Sequence, residues 1–179
     1  MYRLRILIAW LLLALLVGCT GSVQDREDLI GGSTPQAVAA NFFEDFNTAL
    51  EDPAINTPET RRIWAERLAG YFTPVERADQ RLAIRQALAN FAYQQANVPA
   101  GEALTLRITY TAIAVLTVQN EEAMVQLVDG RFVFQRFKLG EGDPQLIREQ
   151  IEAIGTVLGM GDAGFPVHRV NGRWFMTER

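Results

Sequence analysis

Cysteine can act as a nucleophile or metal ligand, and histidine as a general acid or base or a metal ligand. Each occurs once in this sequence, as Cys19 and His168. A single cysteine excludes an internal disulfide and any zinc site built from several cysteines, and a single histidine excludes a multi-histidine metal centre. A histidine-centred reaction would use His168 as general base, with Tyr110 or an acid such as Asp45 beside it. We find no motif that completes such a site, so we assign no catalytic residue and predict neither a metal nor a cofactor.

Cys19 closes a segment with the composition of an export signal. Arg3 and Arg5 precede an apolar run at residues 6–17, which is shorter than the ~20 residues that a membrane-spanning helix needs. The sequence Leu16-Val17-Gly18-Cys19 resembles the lipobox of bacterial lipoproteins. The resemblance implies cleavage before Cys19 and acylation of its thiol, which would hold the mature protein on the extracytoplasmic side of a membrane. We predict a signal peptide over 1–18 and an acylated cysteine with a flexible tether over 19–33.

The charge and composition of the chain limit its partners. There are 17 basic and 21 acidic residues among 179, a formal net charge of −4, so electrostatic binding of nucleic acid is not expected. Hydrophobic residues make up 49% of the chain, enough for one folded domain, which we place at 34–179. The predicted partners are membrane lipid through Cys19 and either a small apolar ligand or an envelope protein.

Three threonine–proline pairs predict the starts of three helices. In Thr34-Pro35, Thr57-Pro58 and Thr73-Pro74, the threonine can accept from the first free N–H groups, and proline suits the first helical position. Glu76 would complete a capping box with Thr73. The second helix should end near Ala69 and the third near Gln95. The predicted inward residues are Val38, Phe42, Phe46 and Leu50, then Ile63, Trp64 and Leu68, then Leu82, Leu88, Phe91 and Ala92.

From Leu104 onward, apolar residues alternate with polar ones, which predicts strands. Asp129-Gly130 and Asn171-Gly172 predict two-residue hairpin turns. The first hairpin would set Leu127 opposite Phe132 and Val125 opposite Phe134. The second would set Arg169 opposite Trp174, His168 opposite Phe175, and Val167 opposite Met176.

The segment 140–164 departs from this alternation. Asp143 as a cap, Pro144, and apolar residues at helical spacing (Ile147, Ile151, Ile154 and Leu158) predict an amphipathic helix inserted between two strands. The spacing Gly-x-Gly-x-x-Gly, typical of a dinucleotide-binding loop, occurs at Gly159, Gly161 and Gly164. That motif needs a strand before it and a helix after it, the reverse of the order here, so we interpret these glycines as a flexible linker.

Together the elements predict an α+β fold, with three N-terminal helices packed on a bent antiparallel sheet of about five strands and one extra helix inserted between strands. The layout and the closing hairpin at residues 167–175 resemble the nuclear transport factor 2-like, or cystatin-like, superfamily. The resemblance implies a cone of bent sheet around the helices, with a mouth that can hold a ligand. Five side chains are candidates for the pocket lining, although aromatics at helical spacing also suit a core: Phe46, Tyr110, Phe134, His168 and Phe175.

Three functions compete at this point. The leading hypothesis is a lipid-anchored, non-enzymatic module that binds a small ligand or a protein. The first alternative, implied by the superfamily resemblance, is a small enzyme of the ketosteroid isomerase or dehydratase type acting in the cone. The second alternative is an accessory subunit that docks through the inserted helix, which would leave Ile147 and Ile151 outside the core.

Overall fold

The computed structural model describes residues 30–158 and 164–178. The predicted signal peptide, Cys19, and the predicted linker glycines Gly159 and Gly161 lie outside the described residues. Gly32, assigned above to the tether, belongs to the fold. Its N–H donates to the Trp174 carbonyl at 2.8 Å, and its carbonyl accepts from the Trp174 N–H at 2.9 Å. Within the described ranges, no helix is long and apolar enough to span a membrane.

Two of the three predicted helix starts are confirmed. Helices α1 (Pro35–Glu51) and α2 (Pro58–Ala69) both open on proline. The Thr34 hydroxyl accepts from the N–H of the third following residue at 3.1 Å, and the Thr57 hydroxyl does the same at 3.2 Å. These caps satisfy N–H groups that have no partner inside the helix.

Helix α3 (Arg77–Ala96) begins later than predicted, with Glu76 in place of Thr73 at its N-cap. The Thr73 hydroxyl donates to one carboxylate oxygen of Glu76 at 2.5 Å, and the other oxygen accepts from the Thr177 hydroxyl at 2.8 Å. Glu76 therefore ties the start of α3 to the C-terminal segment. Ile63 and Leu82, predicted to face inward, are both more than half exposed.

The strands form two antiparallel sheets, so the predicted single sheet of about five strands is wrong. One sheet has three strands in the order β1-β4-β5, and the other has four in the order β2-β3-β6-β7. The strands are β1 (Glu102–Thr109), β2 (Ala112–Gln119), β3 (Glu122–Val128), β4 (Arg131–Lys138), β5 (Gln145–Ala153), β6 (Phe165–Val170) and β7 (Arg173–Met176).

The predicted hairpin at Asp129-Gly130 is also wrong, because this dipeptide carries the chain from one sheet into the other. Strand β3 pairs with β2 and β4 pairs with β1, so Leu127 and Phe132 are not partners, and neither are Val125 and Phe134. The dipeptide permits a two-residue hairpin turn, but only Asp129 adopts a positive φ, of 54°, whereas such a turn needs one at both residues. The choice between a hairpin and a crossing to the other sheet comes from the neighbouring strands.

The predicted hairpin at Asn171-Gly172 is confirmed in every pair. Arg169 lies opposite Trp174, His168 opposite Phe175, and Val167 opposite Met176. Asn171 and Gly172 have φ values of 51° and 82°, the left-handed conformation that a tight hairpin turn of this kind requires.

The predicted inserted helix is wrong: residues 145–153 form strand β5, which is followed by the single helical turn α4 (Ile154–Val157). Pairing with β4 along its length satisfies the backbone of β5 on one side. Ile154, the third residue of the predicted stripe, is 7% exposed, whereas Ile147, Ile151 and Leu158 are 49%, 48% and 47% exposed. The stripe therefore does not form one packed face.

The core lies between α1 and both sheets. Val38, Ala39 and Phe43 of α1 join Val125 of β3 and Val167 of β6 in one buried cluster. Helix α1 also covers the outer edge of β1. The Asn47 side chain donates to the Ile108 carbonyl and accepts from the Ile108 N–H, both at 2.8 Å. The helices thus hold β1, and through it the three-stranded sheet, in a fixed position.

Candidate functional site

A groove of about 380 Å³ runs between the end of α3 and the three-stranded sheet. We call it the sheet groove. Its apolar walls come from Val98 after α3, Leu104 of β1 and Phe134 of β4. Gln94, Arg136 and Gln150 add polar groups. The volume lies in the range of small-molecule sites, which are concave, largely apolar and supplied with a few placed polar groups.

The strand register brings these side chains together. Leu104, Arg136 and Arg148 stand in one row across β1, β4 and β5. Leu106, Phe134 and Gln150 form the next row, two residues further along β4. Because side chains two residues apart on a strand share a face, both rows lie on the face of the sheet that borders the groove, although Leu106 itself packs against the core.

Helix α3 is fixed against this sheet by Gln95, whose side-chain amide donates to the Leu104 carbonyl at 3.1 Å. A backbone carbonyl at a sheet edge needs such a partner when it is removed from water. The bond sets the distance between Gln94 on the helix and Leu104 on the strand, and so the width of the groove.

The two arginines along the groove, Arg136 and Arg148, differ in whether a carboxylate pairs with them. Arg136 donates to the carboxylate of Glu102 on the neighbouring strand. Glu152 accepts a hydrogen bond from Gln150 on its own strand. Arg148, on the edge strand, makes no hydrogen bond or ion pair with any side chain in the ranges that the structure covers. The groove therefore has one paired arginine inside it and one unpaired arginine at its rim.

The five predicted pocket residues are not brought together. Phe134 lines the sheet groove. Phe46 stacks on Phe42 with ring centroids 5.9 Å apart, and Tyr110 contacts Phe43 at 6.3 Å, so both pack against the core. Phe175 is buried beneath Gly31 and Arg77. Tyr110 has a raised pKa, chiefly because burial disfavours its charged form and secondarily because Glu44 is near.

His168 lies on the face of β6 that points away from the core. It stands opposite Phe175, whereas Val167, on the other face, is almost fully buried. His168 borders a separate cleft of about 600 Å³, together with Asp79 and Glu178. Its strand pairing was predicted from the sequence, but the direction of its side chain was not.

Asp45 joins α1 to α2 through a polar network. The Arg67 guanidinium donates to its carboxylate through Nε at 2.6 Å and Nη2 at 2.7 Å. The Tyr71 hydroxyl donates to the same carboxylate at 2.7 Å. Burial and this hydrogen bond raise the pKa of Tyr71, because both disfavour the phenolate. With three donors on Asp45, this cluster is a helix-to-helix contact.

Sequence reasoning missed most of the groove. Val98, Gln94 and Leu104 carry no motif, and Arg148 and Gln150 were assigned to a helix. The alternation in β4 was the signal that could have indicated a binding groove. It places Arg136 on the same face of the strand as Phe132 and Phe134. That signal became informative only once β5 was known to lie beside β4.

No family model and no curated protein matches this chain. Within residues 30–158 and 164–178, no three His, Cys, Asp or Glu side chains gather in a way that could hold a metal ion. The functional assignment therefore rests on the sheet groove and on the sequence around Cys19.

Proposed function

We propose that this protein is a lipid-anchored, extracytoplasmic binding module that takes a small ligand into the sheet groove. The groove is the observation that carries the binding function. It sets Val98, Leu104 and Phe134 beside Arg136 and Gln94, which suits a molecule with an apolar body and a hydrogen-bond acceptor.

The anchoring half of the proposal is supported by sequence. Arg3, Arg5, the apolar run and Leu16-Val17-Gly18-Cys19 occur in the order that bacterial lipoproteins use. Two or more acyl chains hold a protein stably on a membrane, and a single chain does so only marginally. Residues 20–30 would then link the anchor to a fold that begins near Gly32.

We also propose that the two sheets are parts of one sharply bent surface of the nuclear transport factor 2-like kind. Strands β1 and β2 follow each other with two residues between them, as do β3 and β4. The Thr111 N–H donates to the Val128 carbonyl at 2.9 Å, so pairing continues at the corner. The sheet groove would be the mouth of the cone that such a surface encloses.

Binding is favoured over isomerase or dehydratase chemistry by the positions of the acid–base candidates. His168 borders an outer cleft, and the Asp45 carboxylate holds Arg67 and Tyr71. A general base must come within hydrogen-bond reach of the proton it removes. None of these groups lines the sheet groove, where we place the ligand.

The test is binding of anilinonaphthalene sulfonate, a fluorescent probe with an apolar body and an anionic group, to the full chain in mild detergent. We expect Phe134→Ala to weaken probe binding about tenfold, because an aromatic side chain contributes on the order of 1–1.5 kcal/mol to such contacts. Phe137→Ala is the matched control, since Phe137 lies on the same strand but faces the opposite side of the sheet.

Circular dichroism of both variants confirms that each is folded. Equal effects of the two substitutions, or none for Phe134→Ala, would contradict the groove as the binding site. Phe134→Leu, which keeps most of the apolar volume, should bind the probe with an affinity between those of the unchanged protein and Phe134→Ala.

A further inference from the structure

Strand β5 ends its sheet with an uncovered edge. In the order β1-β4-β5, β5 has a partner on one side only within the described chain. Nearly all its side chains are exposed, including the apolar Leu146, Ile147 and Ile151. It contains no lysine or proline; its charged side chains are those of Arg148, Glu149 and Glu152, and its pairing with β4 shifts register at Ile147.

The other edge of the same sheet, formed by β1, is covered by helix side chains. Asn47 of α1 bonds both backbone groups of Ile108, and Gln95 of α3 bonds the Leu104 carbonyl. The outer edge of β1 is therefore occupied by side chains of the same chain. Strand β5 receives no comparable side chain from the described residues, so its outward N–H and C=O groups are available to a further strand.

The direction of those groups follows from one hydrogen bond. The Ile154 N–H donates to the Gly130 carbonyl at 3.0 Å, on the side of β4. Backbone groups alternate between the two edges of a strand, so Gln150 and Glu152 also turn toward β4. Glu149 and Ile151 turn their N–H and C=O groups to the free edge.

We propose that the free edge of β5 pairs antiparallel with β5 of a second copy of this chain, about a two-fold axis at Gln150. Glu149 of each copy then exchanges backbone hydrogen bonds with Ile151 of the other. The three-stranded sheets of the two copies then form one six-stranded sheet. On its outer face, the exposed Ile151 side chains of the two copies become diagonal neighbours.

Charge complementarity selects this partner and this register. With the axis at Gln150, Arg148 of each copy lies opposite Glu152 of the other, at positions where the Cα atoms of an antiparallel pair are only ~4.5 Å apart. An axis at Glu149 would oppose two glutamates, and an axis at Arg148 two arginines. Arg148 is the groove arginine without an ion pair among the described residues, and the second copy provides its counter-charge.

Strand β2 ends the four-stranded sheet, and it is the competing edge. Its sequence, Ala112–Gln119, carries no charged side chain. Nothing in β2 therefore distinguishes one register or one partner from another. Self-pairing through β5 is specified by two reciprocal ion pairs, and the inference does not depend on what binds in the sheet groove.

The experiment is a charge exchange on the full chain, extracted in mild detergent, with mass measured by sedimentation across a concentration series. We expect a monomer–dimer equilibrium in the unchanged protein. Arg148→Glu and Glu152→Arg should each weaken the dimer about tenfold, because each replaces two attractive cross-strand pairs by two repulsive ones. The double variant R148E/E152R restores both attractions and should dimerise within about threefold of the unchanged protein.

Arg107→Glu is the matched control, since Arg107 lies on β1, the covered edge of the same sheet, and its side chain is exposed. It should leave the dimer unchanged. A monomer at every concentration, or a dimer that tolerates both single substitutions, would overturn the proposal. Association that appears only with another protein would also overturn it.

A cross-link tests the register separately. Gln150→Cys places two thiols across the two-fold axis, within the Cα separation of 4.4–6.8 Å that a disulfide needs. Mild oxidation in native membranes should convert this variant to a covalent dimer. The unchanged chain, whose one cysteine is Cys19, gives the background. A charge-sensitive dimer that does not cross-link at this position would refute the axis at Gln150.

Discussion

Replacing Asp45 by alanine tests whether its network holds α1 against α2. The substitution removes two hydrogen bonds from Arg67 and one from Tyr71. The carboxyl side chain of Asp45 is 13% exposed, but Arg67 is 57% exposed and regains water when its partner is lost. We therefore assign about 0.5–1 kcal/mol to the arginine contacts and about 1.5 kcal/mol to the tyrosine bond with its charged acceptor.

The expected loss in the free energy of unfolding is about 2 kcal/mol, which lowers the urea midpoint by about 1 M if the urea dependence is about 2 kcal/mol per molar. Fluorescence reports the transition, because Trp64 packs under Arg67 and Trp174 is buried. Glu59→Ala is the matched control, because Arg62 donates to the Glu59 carboxylate through Nε and Nη2, the same two nitrogens through which Arg67 donates to Asp45.

The Glu59 pair differs from the Asp45 pair in burial, with side chains 57% and 66% exposed. Exposed pairs contribute little because water and salt screen them, so Glu59→Ala should leave the urea midpoint unchanged within error. If Asp45→Ala and Glu59→Ala have the same urea midpoint, whether both are lowered or both unchanged, the reasoning that burial decides the strength of these contacts is refuted.

Two further predictions concern pH and backbone conformation. The folded state raises the pKa of Tyr71, and to a smaller extent that of Tyr110, above the ordinary value of 10.0, so the unfolded state releases these protons first. The contribution of these tyrosines to the free energy of unfolding should therefore be constant below about pH 10, and the free energy of unfolding should fall as the pH rises further. Tyr71→Phe should reduce that slope in urea titrations at successive pH values above 10; an unchanged slope would contradict the pKa shift. Gly172 has a φ of 82°, whereas Gly140 lies in open space without a positive φ. In thermal unfolding, Gly172→Ala should lower the free energy of unfolding by about 1 kcal/mol and Gly140→Ala should leave it unchanged. Equal losses for the two variants would show that the backbone conformation at the turn is not the cause.

The helices could be predicted where the signal was local. Thr34 and Thr57 cap helices whose first residue is proline, and both caps depend only on residues within one turn. The same signal at Thr73 was misleading: Glu76 is itself the N-cap of α3, and its carboxylate also accepts from Thr177, a residue far along the chain. A capping box read from sequence cannot show that its glutamate has a distant partner.

The sheet could be predicted only where a turn and its strands agree. Asn171-Gly172 joins two strands that pair with each other, so the local signal and the fold coincide. Asp129-Gly130 permits the same backbone conformation, but β3 and β4 have other partners. Tertiary pairing overrides the turn signal there, and the number of sheets changes with it.

The segment 140–164 shows why the site could not be found from sequence. Ile147, Ile151 and Ile154 recur at nearly helical spacing, which the helix prediction used. The strand instead forms because β4 offers it an edge, and a β-strand is stabilised by its neighbour more than by its own residue preferences. Once the segment was assigned to a helix, Arg148 and Gln150 could not be placed beside Arg136 and Phe134.

The intact mass of the full chain, purified from membranes of a bacterial host that processes lipoproteins, tests the central proposal most directly. We predict a polypeptide that begins at Cys19, with added mass matching a diacylglyceryl group and any further acyl chain on that residue. Cys19→Ser should remove the added mass. A chain that still begins at Met1 and carries no lipid would contradict the account.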